Sequence, residues 1–197
     1  MKTIAFIGAG NMGGALARAA CRAVEADEVV IYEPNAALAA ALTAETGCTA
    51  AESGAQAARS ARYVVLCVKP QVLPGVLAGL VPALKEGEAA GEHRVLVSIA
   101  AGVRLETLAG ILSDGGLALP TVRIMPNTPA FIGAGVLLMA PAGDVTDEDY
   151  AGLTDALHCC GMLERVTQAQ LDMGSAISGC GPAFVYLFIE ALADGGV

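Results

Sequence analysis

The segment T-I-A-F-I-G-A-G-N-M-G, residues 3–13, decides the fold of this chain. Its first five residues form a short apolar run, which is typical of a buried strand. The pattern G-x-G-x-x-G follows, and residues 11–24 are rich in Ala and Leu and favour a helix. In such a unit, Gly8 permits a tight turn, Gly10 lets a pyrophosphate approach the backbone, and Gly13 lets helix and strand pack closely. The segment therefore predicts a dinucleotide site made of Gly8, Ala9, Gly10, Asn11, Met12 and Gly13.

Strands and helices continue to alternate after this unit. Strands are predicted at residues 28–32, 63–68, 94–99, 120–125 and 162–166, and helices at 36–45, 52–61, 105–112 and 147–160. Between residues 69 and 85, Pro74 and Pro82 predict short helical pieces, and residues 135–140 predict an edge strand. The alternation predicts an α/β fold, a Rossmann-type doubly wound and mostly parallel sheet.

The last thirty residues have a different pattern. From Gln168 onward the chain is predicted to be helical, with a glycine break at residues 179–181. The helix after Pro182 is apolar on every side over residues 183–189, so it needs a partner that buries it. We therefore divide the chain into a dinucleotide-binding domain, residues 1–165, and the start of an all-helical domain, residues 166–197.

Glu33 ends the second predicted strand, 20 residues after Gly13. In this fold an acid at that point binds the ribose hydroxyls and repels a 2′-phosphate. No Lys or Arg lies between Tyr32 and Thr46 to bind the extra phosphate. The cofactor is thus predicted to be NADP or NAD, with NADH accepted; the alternative is that Glu33 is a solvated turn residue beside Pro34.

Three later strands end in further candidate contacts. Ligands of open α/β sheets bind at the carboxyl ends of the strands, where this chain places V-K-P, A-A-G and M-P-N-T-P. The small residues of A-A-G leave room for a flat nicotinamide ring. Lys69 either contacts the cofactor or extends into solvent, and Asn127 and Thr128 either orient a polar substrate or stabilise a turn.

Composition excludes several classes of function. The net charge is −9, and no cluster of Lys and Arg appears, which argues against nucleic acid and anionic membranes as partners. The six cysteines include no C-x-x-C pair, and His158-Cys159-Cys160 lacks enough ligands nearby for a metal site. We expect no metal, reduced thiols, and a soluble cytoplasmic protein without a membrane span.

The motifs taken together resemble those of pyrroline-5-carboxylate reductases. These are F-I-G-A-G-N-M-G, V-K-P-Q, S-I-A-A-G-V, M-P-N-T-P and S-G-C-G-P-A-F-V-Y-L-F-I-E-A-L-A-D-G-G-V, in this order across essentially the whole chain. The resemblance implies reduction of the C=N bond of 1-pyrroline-5-carboxylate by NAD(P)H to give L-proline, the last step of proline biosynthesis. It further implies cofactor contacts at residues 8–13, at Val68, Lys69 and Pro70, and at Ala100, Ala101 and Gly102. It also implies a homodimer or higher homo-oligomer, with the last helix as the first long helix of a dimerisation domain.

Three features depart from the family pattern. Glu33 replaces the small polar or basic residue of many members, and Cys180 stands where many have serine. The S-P-G-G-T-T motif that holds the substrate in the family is absent. We therefore expect a fragment that binds cofactor and has little reductase activity, with Ser178 and Asn127 as catalytic candidates by location only.

Two other interpretations fit the glycine motif. A β-hydroxyacid dehydrogenase shares that motif and a helical second domain, but it requires a lysine early in that domain, and none follows Gln168. A non-catalytic NAD(P)-binding module is the third possibility.

Overall fold

Eight strands form a single sheet in this computed structural model, which describes all 197 residues, Met1–Val197. The strands are β1 Lys2–Ile7, β2 Val29–Tyr32, β3 Thr49–Ala50, β4 Ala61–Leu66, β5 Val95–Ser98, β6 Thr121–Met125, β7 Gly135–Pro141 and β8 Gly161–Arg165. The helices are α1 Asn11–Ala23, α2 Ala36–Thr46, α3 Gly54–Ser60, α4 Leu73–Ala89, α5 Leu105–Asp114, α6 Asp147–Leu157, α7 Gln168–Ser178 and α8 Gly181–Gly195. Short 3-10 helices span Ala26–Glu28, Thr128–Ile132 and His158–Cys160.

The strand order is β3-β2-β1-β4-β5-β6-β7-β8, with every neighbouring pair parallel except β6 and β7. The chain begins in the interior of the sheet at β1, winds outward to β3, and then returns to β4 on the other side of β1. This reversal of winding opens a crevice at the carboxyl ends of β1 and β4, where such sheets bind ligands. The prediction of a doubly wound, mostly parallel sheet is confirmed.

The two faces of the sheet carry separate cores. Ile4 and Phe6 belong to a cluster of 25 buried residues on one face, while Ala5 and Ile7 belong to a cluster of 18 on the other. Successive strand residues point to opposite faces, so both sets must be apolar, and β1 reads as a continuous apolar run. Helices α1 and α6 cover the first face, and α3, α4 and α5 cover the second.

The prediction of short helical pieces between residues 69 and 85 is wrong, because α4 runs unbroken through Pro82. Pro74 lies in the first turn, where a backbone N–H needs no helical acceptor. An interior proline costs a helix roughly 3 kcal/mol. Leu73, Leu77 and Leu84 of α4 are fully buried, and each contributes about 1.5–3 kcal/mol, so packing outweighs the cost of the proline.

The prediction that residues 135–140 form an edge strand is also wrong. β7 pairs antiparallel with β6 and parallel with β8, so it lies inside the sheet and β8 forms the edge. β3, with only two residues, forms the opposite edge and was not predicted. An apolar pattern shows that a strand is buried, but it does not show which strands lie beside it.

The end of β4 determines where the binding loops begin. The sequence predicts this strand at residues 63–68, whereas the structure ends it at Leu66. Cys67 still donates its N–H to the Ile7 carbonyl at 2.8 Å, and Val68 then leaves the sheet. The predicted contact residues Val68, Lys69 and Pro70 therefore lie in a loop beyond the carboxyl edge.

The helical end of the chain has the break that the sequence predicts. α7 ends at Ser178 and α8 begins at Gly181, with Pro182 in its first turn. No residue of α8 is buried; Phe184, for example, is 69% exposed. By length and composition alone, the stretch Gln168–Gly195 could cross a membrane. This is weak evidence, and the expectation of a protein without a membrane partner stays a prediction.

Candidate active site

The glycine loop joins β1 to α1 at the crevice. Gly8 has a φ of +96°, and its N–H donates to the Tyr32 carbonyl at 2.8 Å. A Cβ on Gly13 would lie 2.1 Å from the Gly8 carbonyl oxygen, so only glycine lets α1 approach this closely. A Cβ on Gly10, in contrast, would meet nothing within 4 Å. Gly8 and Gly13 thus shape the loop, while Gly10 leaves open space for a ligand.

The amino end of α1 is free to bind an anion. Gly10 is its N-cap and provides no side-chain acceptor, and the first turn contains no acidic residue. In α2, by comparison, the Asn35 side chain accepts from the N–H groups of Ala37 and Leu38. Uncapped N–H groups and the positive end of the helix dipole attract phosphate, so this helix end fits the pyrophosphate of a dinucleotide.

Glu33 lies beside the glycine loop. One carboxylate oxygen accepts from the Ala9 N–H at 2.8 Å, and the other accepts from the Asn35 N–H at 3.0 Å. The two bonds fix a negative charge between the loop and the start of α2. In a dinucleotide fold this is where the adenosine ribose is bound.

A cavity of about 400 Å³ adjoins this region and is lined by Ala9, Gly10, Asn11, Arg18, Leu38, Ala41, Leu42 and Phe131. Arg18 is a cation that the sequence reasoning missed, because it comes from the middle of α1. Its guanidinium is bound by both carboxylate oxygens of Glu45, at 2.7–2.9 Å. The positive charge facing this cavity is therefore already paired.

A second cavity, of about 240 Å³, lies where β4, β5 and β6 end. It is lined by Met12, Cys67, Val68, Lys69, Pro70, Ile99, Ala100, Ala101, Met125 and Pro126. Lys69 is exposed and makes no ion pair. The pKa of the Cys67 thiol is raised by loss of water around it, which keeps it protonated and a poor nucleophile. The cavity is thus mostly apolar and suits a flat ring.

Gly102 makes the turn that follows this cavity. Its φ is +75°, and the Val103 N–H donates to the Ala100 carbonyl at 3.3 Å. Of the predicted A-A-G contacts, Ala100 and Ala101 line the cavity, whereas Gly102 does not. Gly102 therefore forms the turn and does not line the cavity.

A third cavity, of about 460 Å³, extends from the second toward α7. Its sheet side is Met12, Ala101, Met125, Pro126, Asn127 and Thr128, and its helical side is Asp172, Ser175, Ala176, Gly179 and Cys180. Sequence reasoning did not place Asp172, Ser175 or Ala176 here, because it could not show how α7 packs on the sheet. The cavity joins the two predicted domains in one cleft.

The two catalytic candidates meet at the end of α7. The Asn127 side chain donates to the Ser178 carbonyl at 3.1 Å and accepts from the Val136 N–H at 2.9 Å. Ser178 Oγ is buried and has no hydrogen-bond partner. Asn127 thus holds the M-P-N-T-P loop to α7. The Ser178 hydroxyl itself does not line the cavity, whereas the next residue, Gly179, does.

A cavity larger than these three lies elsewhere. It measures about 720 Å³ and forms a groove between α4 and α5, with Lys85 and Asp114 in its wall. It contains none of the predicted site residues. The chemistry is better assigned to the three smaller cavities, because they share the glycine loop and the carboxyl ends of the strands.

Comparison with known proteins yields two family matches. Residues 3–102 match the family described as NADP oxidoreductase, coenzyme F420-dependent. Residues 168–197 match the family described as pyrroline-5-carboxylate reductase dimerisation. The two matches fall in the two predicted domains.

Individual relatives carry the same family name. Pyrroline-5-carboxylate reductase of Escherichia coli is 36% identical over 198 residues, covering 100% of this chain and 70% of the relative, and that of Glycine max is 36% identical, covering 99% and 68%. Plasmodium falciparum pyrroline carboxylate reductase, solved with NADP bound, has a TM-score of 0.84 at 30% identity, covering 99% of this chain and 69% of that one. The Coxiella burnetii enzyme has a TM-score of 0.87 at 25% identity, covering 99% and 70%.

Proposed function

Because the chain belongs to the pyrroline-5-carboxylate reductase family, we propose that it reduces the C=N bond of 1-pyrroline-5-carboxylate with NAD(P)H, forming L-proline. The observation that supports this most is the series of cavities along the carboxyl edge of the sheet, from the one at Gly10 to the one beside α7. The β-hydroxyacid dehydrogenase interpretation has no comparable support, since the relatives named above are reductases of this one family.

The cofactor fits the carboxyl edge of the sheet. We propose that the open space at Gly10 and the uncapped end of α1 hold the pyrophosphate, with Ala9, Asn11 and Met12 around it. The nicotinamide end would lie in the cavity formed by Val68 to Pro70 with Ala100 and Ala101, and Lys69 at its rim would contact the cofactor. When bound, the nicotinamide supplies a hydride to the imine carbon of the substrate.

The protein's own contribution is mainly to position the substrate. A cyclic iminium is a good hydride acceptor, so holding it against the cofactor in a water-poor cavity provides most of the rate enhancement. The cavity beside α7 would take the five-membered ring. We propose that Asn127 keeps the M-P-N-T-P wall in place, and that Ser178, whose carbonyl Asn127 binds, positions the adjoining Gly179 at the cavity.

The function is tested by following NADH and NADPH oxidation with and without 1-pyrroline-5-carboxylate. We expect slow, substrate-dependent oxidation, together with cofactor binding that titration of nicotinamide fluorescence detects. Gly10→Val is the matched control, because a Cβ at this position would meet no protein atom within 4 Å and the branched side chain would fill the space for the pyrophosphate. A chain that binds cofactor without any turnover would instead support the non-catalytic module.

Coenzyme choice is a second part of the proposal. Glu33 places a fixed carboxylate at the ribose position, and the nearby Arg18 is neutralised by Glu45. We therefore propose that NADH is accepted at least as well as NADPH. Glu33→Gln should raise the affinity for NADPH relative to NADH, and an unchanged ratio would mean that Glu33 does not contact the ribose.

The protein is further proposed to be a cytoplasmic homo-oligomer that binds neither nucleic acid nor membrane. Its apolar α8 surface, with Phe184, Leu187 and Phe188 each more than 60% exposed, lies in the segment that matches a dimerisation family. Sedimentation of the purified chain should show dimers or larger assemblies, and a monomer at micromolar concentration would contradict this part of the proposal.

A further inference from the structure

Arg123 is a buried cation in the middle of β6. Its side chain is only 3% exposed, and its neighbours Val122 and Ile124 are apolar and buried. A charge in such a position destabilises the fold unless it is paired and hydrogen-bonded. Its partners therefore show which parts of the molecule depend on it.

The guanidinium of Arg123 joins three elements around the cleft. It donates to Gln168 Oε1 and to Asp172 Oδ1 on α7, each at 3.1 Å. Gln168 Oε1 also accepts from the Leu105 N–H at 2.7 Å, and Gln168 Nε2 donates to the Glu106 carboxylate at 3.0–3.1 Å. One network thus connects β6, the first turn of α5 and the first turn and a half of α7.

α7 has few other attachments to the sheet. Leu171 is its only buried residue, while Met173 and Ile177 are 66% and 77% exposed. Gly174 lies against Leu138 so closely that a Cβ there would be 2.5 Å from Leu138 Cδ1. Because the apolar contact is so small, the Arg123 network and the Asn127–Ser178 hydrogen bond provide much of the attachment.

The same helix forms one wall of the cavity assigned to the substrate. Asp172, Ser175 and Gly179 face Met125 and Asn127 across it, and Met125 follows Arg123 by two residues. We propose that Arg123 is a positioning residue: by binding Gln168 and Asp172 it holds the α7 wall at a fixed distance from the M-P-N-T-P wall. The substrate's identity rests on the proposed function, but the attachment itself does not.

If Arg123 had only a structural role, its substitution would have the same effects as substitution of Arg94. Arg94 is equally buried, with a side chain 1% exposed, pairs with Glu92, and donates to the Ala58 carbonyl at the end of α3. It has no contact with α7 or with the cavities at the carboxyl edge. Arg94→Met is therefore a matched control for Arg123→Met, since each removes a buried guanidinium from the same fold.

The experiment compares the two variants by hydrogen exchange of the α7 amides, by cofactor titration and by the KM for 1-pyrroline-5-carboxylate. In Arg123→Met, loss of charged hydrogen bonds should speed α7 exchange about tenfold or more relative to β1 and β4 amides. The KM should rise by a similar factor, while the cofactor Kd stays within about twofold, because the glycine loop is untouched. Arg123→Lys should recover part of the effect, since it keeps the charge near Asp172, while its shorter stem does not bring one nitrogen to both acceptors as Nη1 of Arg123 does.

Equal α7 exchange in Arg123→Met and wild type, or an equal rise in Arg94→Met, would overturn the proposal. If Arg123→Met does not fold, hydrogen exchange of α7 in Asp172→Asn provides the test, because this variant removes the partner's charge and keeps its shape; its KM is not compared, since Asp172 also lines the cavity. If the wild-type chain shows no reduction of 1-pyrroline-5-carboxylate, the proposed function fails, and the exchange contrast between the two arginines still decides whether Arg123 holds α7.

Discussion

The sheet and helix α8 are both strongly apolar, yet their burial is opposite. In β4, residues 63–66 are all buried, whereas in α8 the side chains of Phe184, Phe188 and Leu192 are 60–70% exposed. The strands are covered because the chain itself provides a helix after nearly every strand. No element of the chain lies over α8. Hydrophobicity therefore predicts that a segment will be buried, but other observations are needed to show which element or partner buries it.

For α8, the match of residues 168–197 to a dimerisation family supplies that observation. A second copy of the chain is the proposed cover. The sheet is thus buried within one chain, whereas α8 is proposed to be buried between two chains. Substitutions of the same residue type in the sheet and in α8 can test this difference.

The largest difference is expected for a pair of leucines. Leu66 is fully buried in β4, and Leu66→Ala should lower the free energy of unfolding by about 3 kcal/mol, since it leaves a cavity in the core. Leu187 in α8 is 61% exposed, and Leu187→Ala should cost less than about 0.5 kcal/mol in dilute solution. Urea unfolding at several protein concentrations measures both.

The concentration dependence sharpens this comparison. If a second copy covers α8, the cost of Leu187→Ala should grow as the protein concentration rises, while that of Leu66→Ala stays constant. Equal costs for the two variants at every concentration would mean that α8 is buried within one chain.

A second test distinguishes effects on stability from effects on cofactor binding within the sheet domain. Gly13→Ala places a methyl group 2.1 Å from the Gly8 oxygen and 2.8 Å from Cys67 Cβ, so it should cost about 2 kcal/mol and abolish cofactor binding. Gly10→Ala meets no atom within 4 Å and should change stability by less than about 0.5 kcal/mol while weakening cofactor binding. Thermal unfolding and fluorescence titration distinguish the two, and similar stability losses would contradict the different roles given to these glycines.

The sequence predicted most of the fold because its signals are local. The loop from Gly8 to Gly13 lies between a strand and a helix that are adjacent in the chain, and Asn35 and Thr146 cap helices that follow them directly. What it missed depends on distant partners. The place of β7 inside the sheet requires β8, and the role of α7 in the cleft requires Arg123 and Asp172, which are 49 residues apart.

One of these distant features did leave a local trace. Arg123 stands in the apolar strand T-V-R-I-M, and a charge inside a buried strand indicates a partner elsewhere. The sequence does not identify that partner, because several acids in the later helices were equally available. The helix through Pro82 was missed for a similar reason: the burial that outweighs the proline comes from the sheet beneath it.

The smallest expected effect concerns the amino edge of the sheet, opposite the cleft. The buried Asp149 accepts from Thr146, from Arg62 at 3.0 Å and from His93 at 2.7 Å, and it completes a capping box at the start of α6. Burial acts to raise the pKa of Asp149, but these hydrogen bonds from Thr146, Arg62 and His93 outweigh it and the pKa is lowered. A lowered pKa in the folded state stabilises the protein above the unfolded value, and that stability is lost as the pH falls below about 4.

Asp149→Asn should therefore lower the free energy of unfolding at neutral pH by roughly 1.5 kcal/mol and flatten its decline in acid. Asp147 is the control: it lies in the same helical turn and pairs with Arg165 at 3.0 Å, but its side chain is 93% exposed, so Asp147→Asn should change stability by less than about 0.5 kcal/mol. Urea unfolding across the acid range compares the two. Equal losses of unfolding free energy in the two variants would mean that burial does not increase the contribution of the Asp149 carboxylate to stability. An altered cofactor affinity in Asp149→Asn would mean that the two edges of the sheet are coupled.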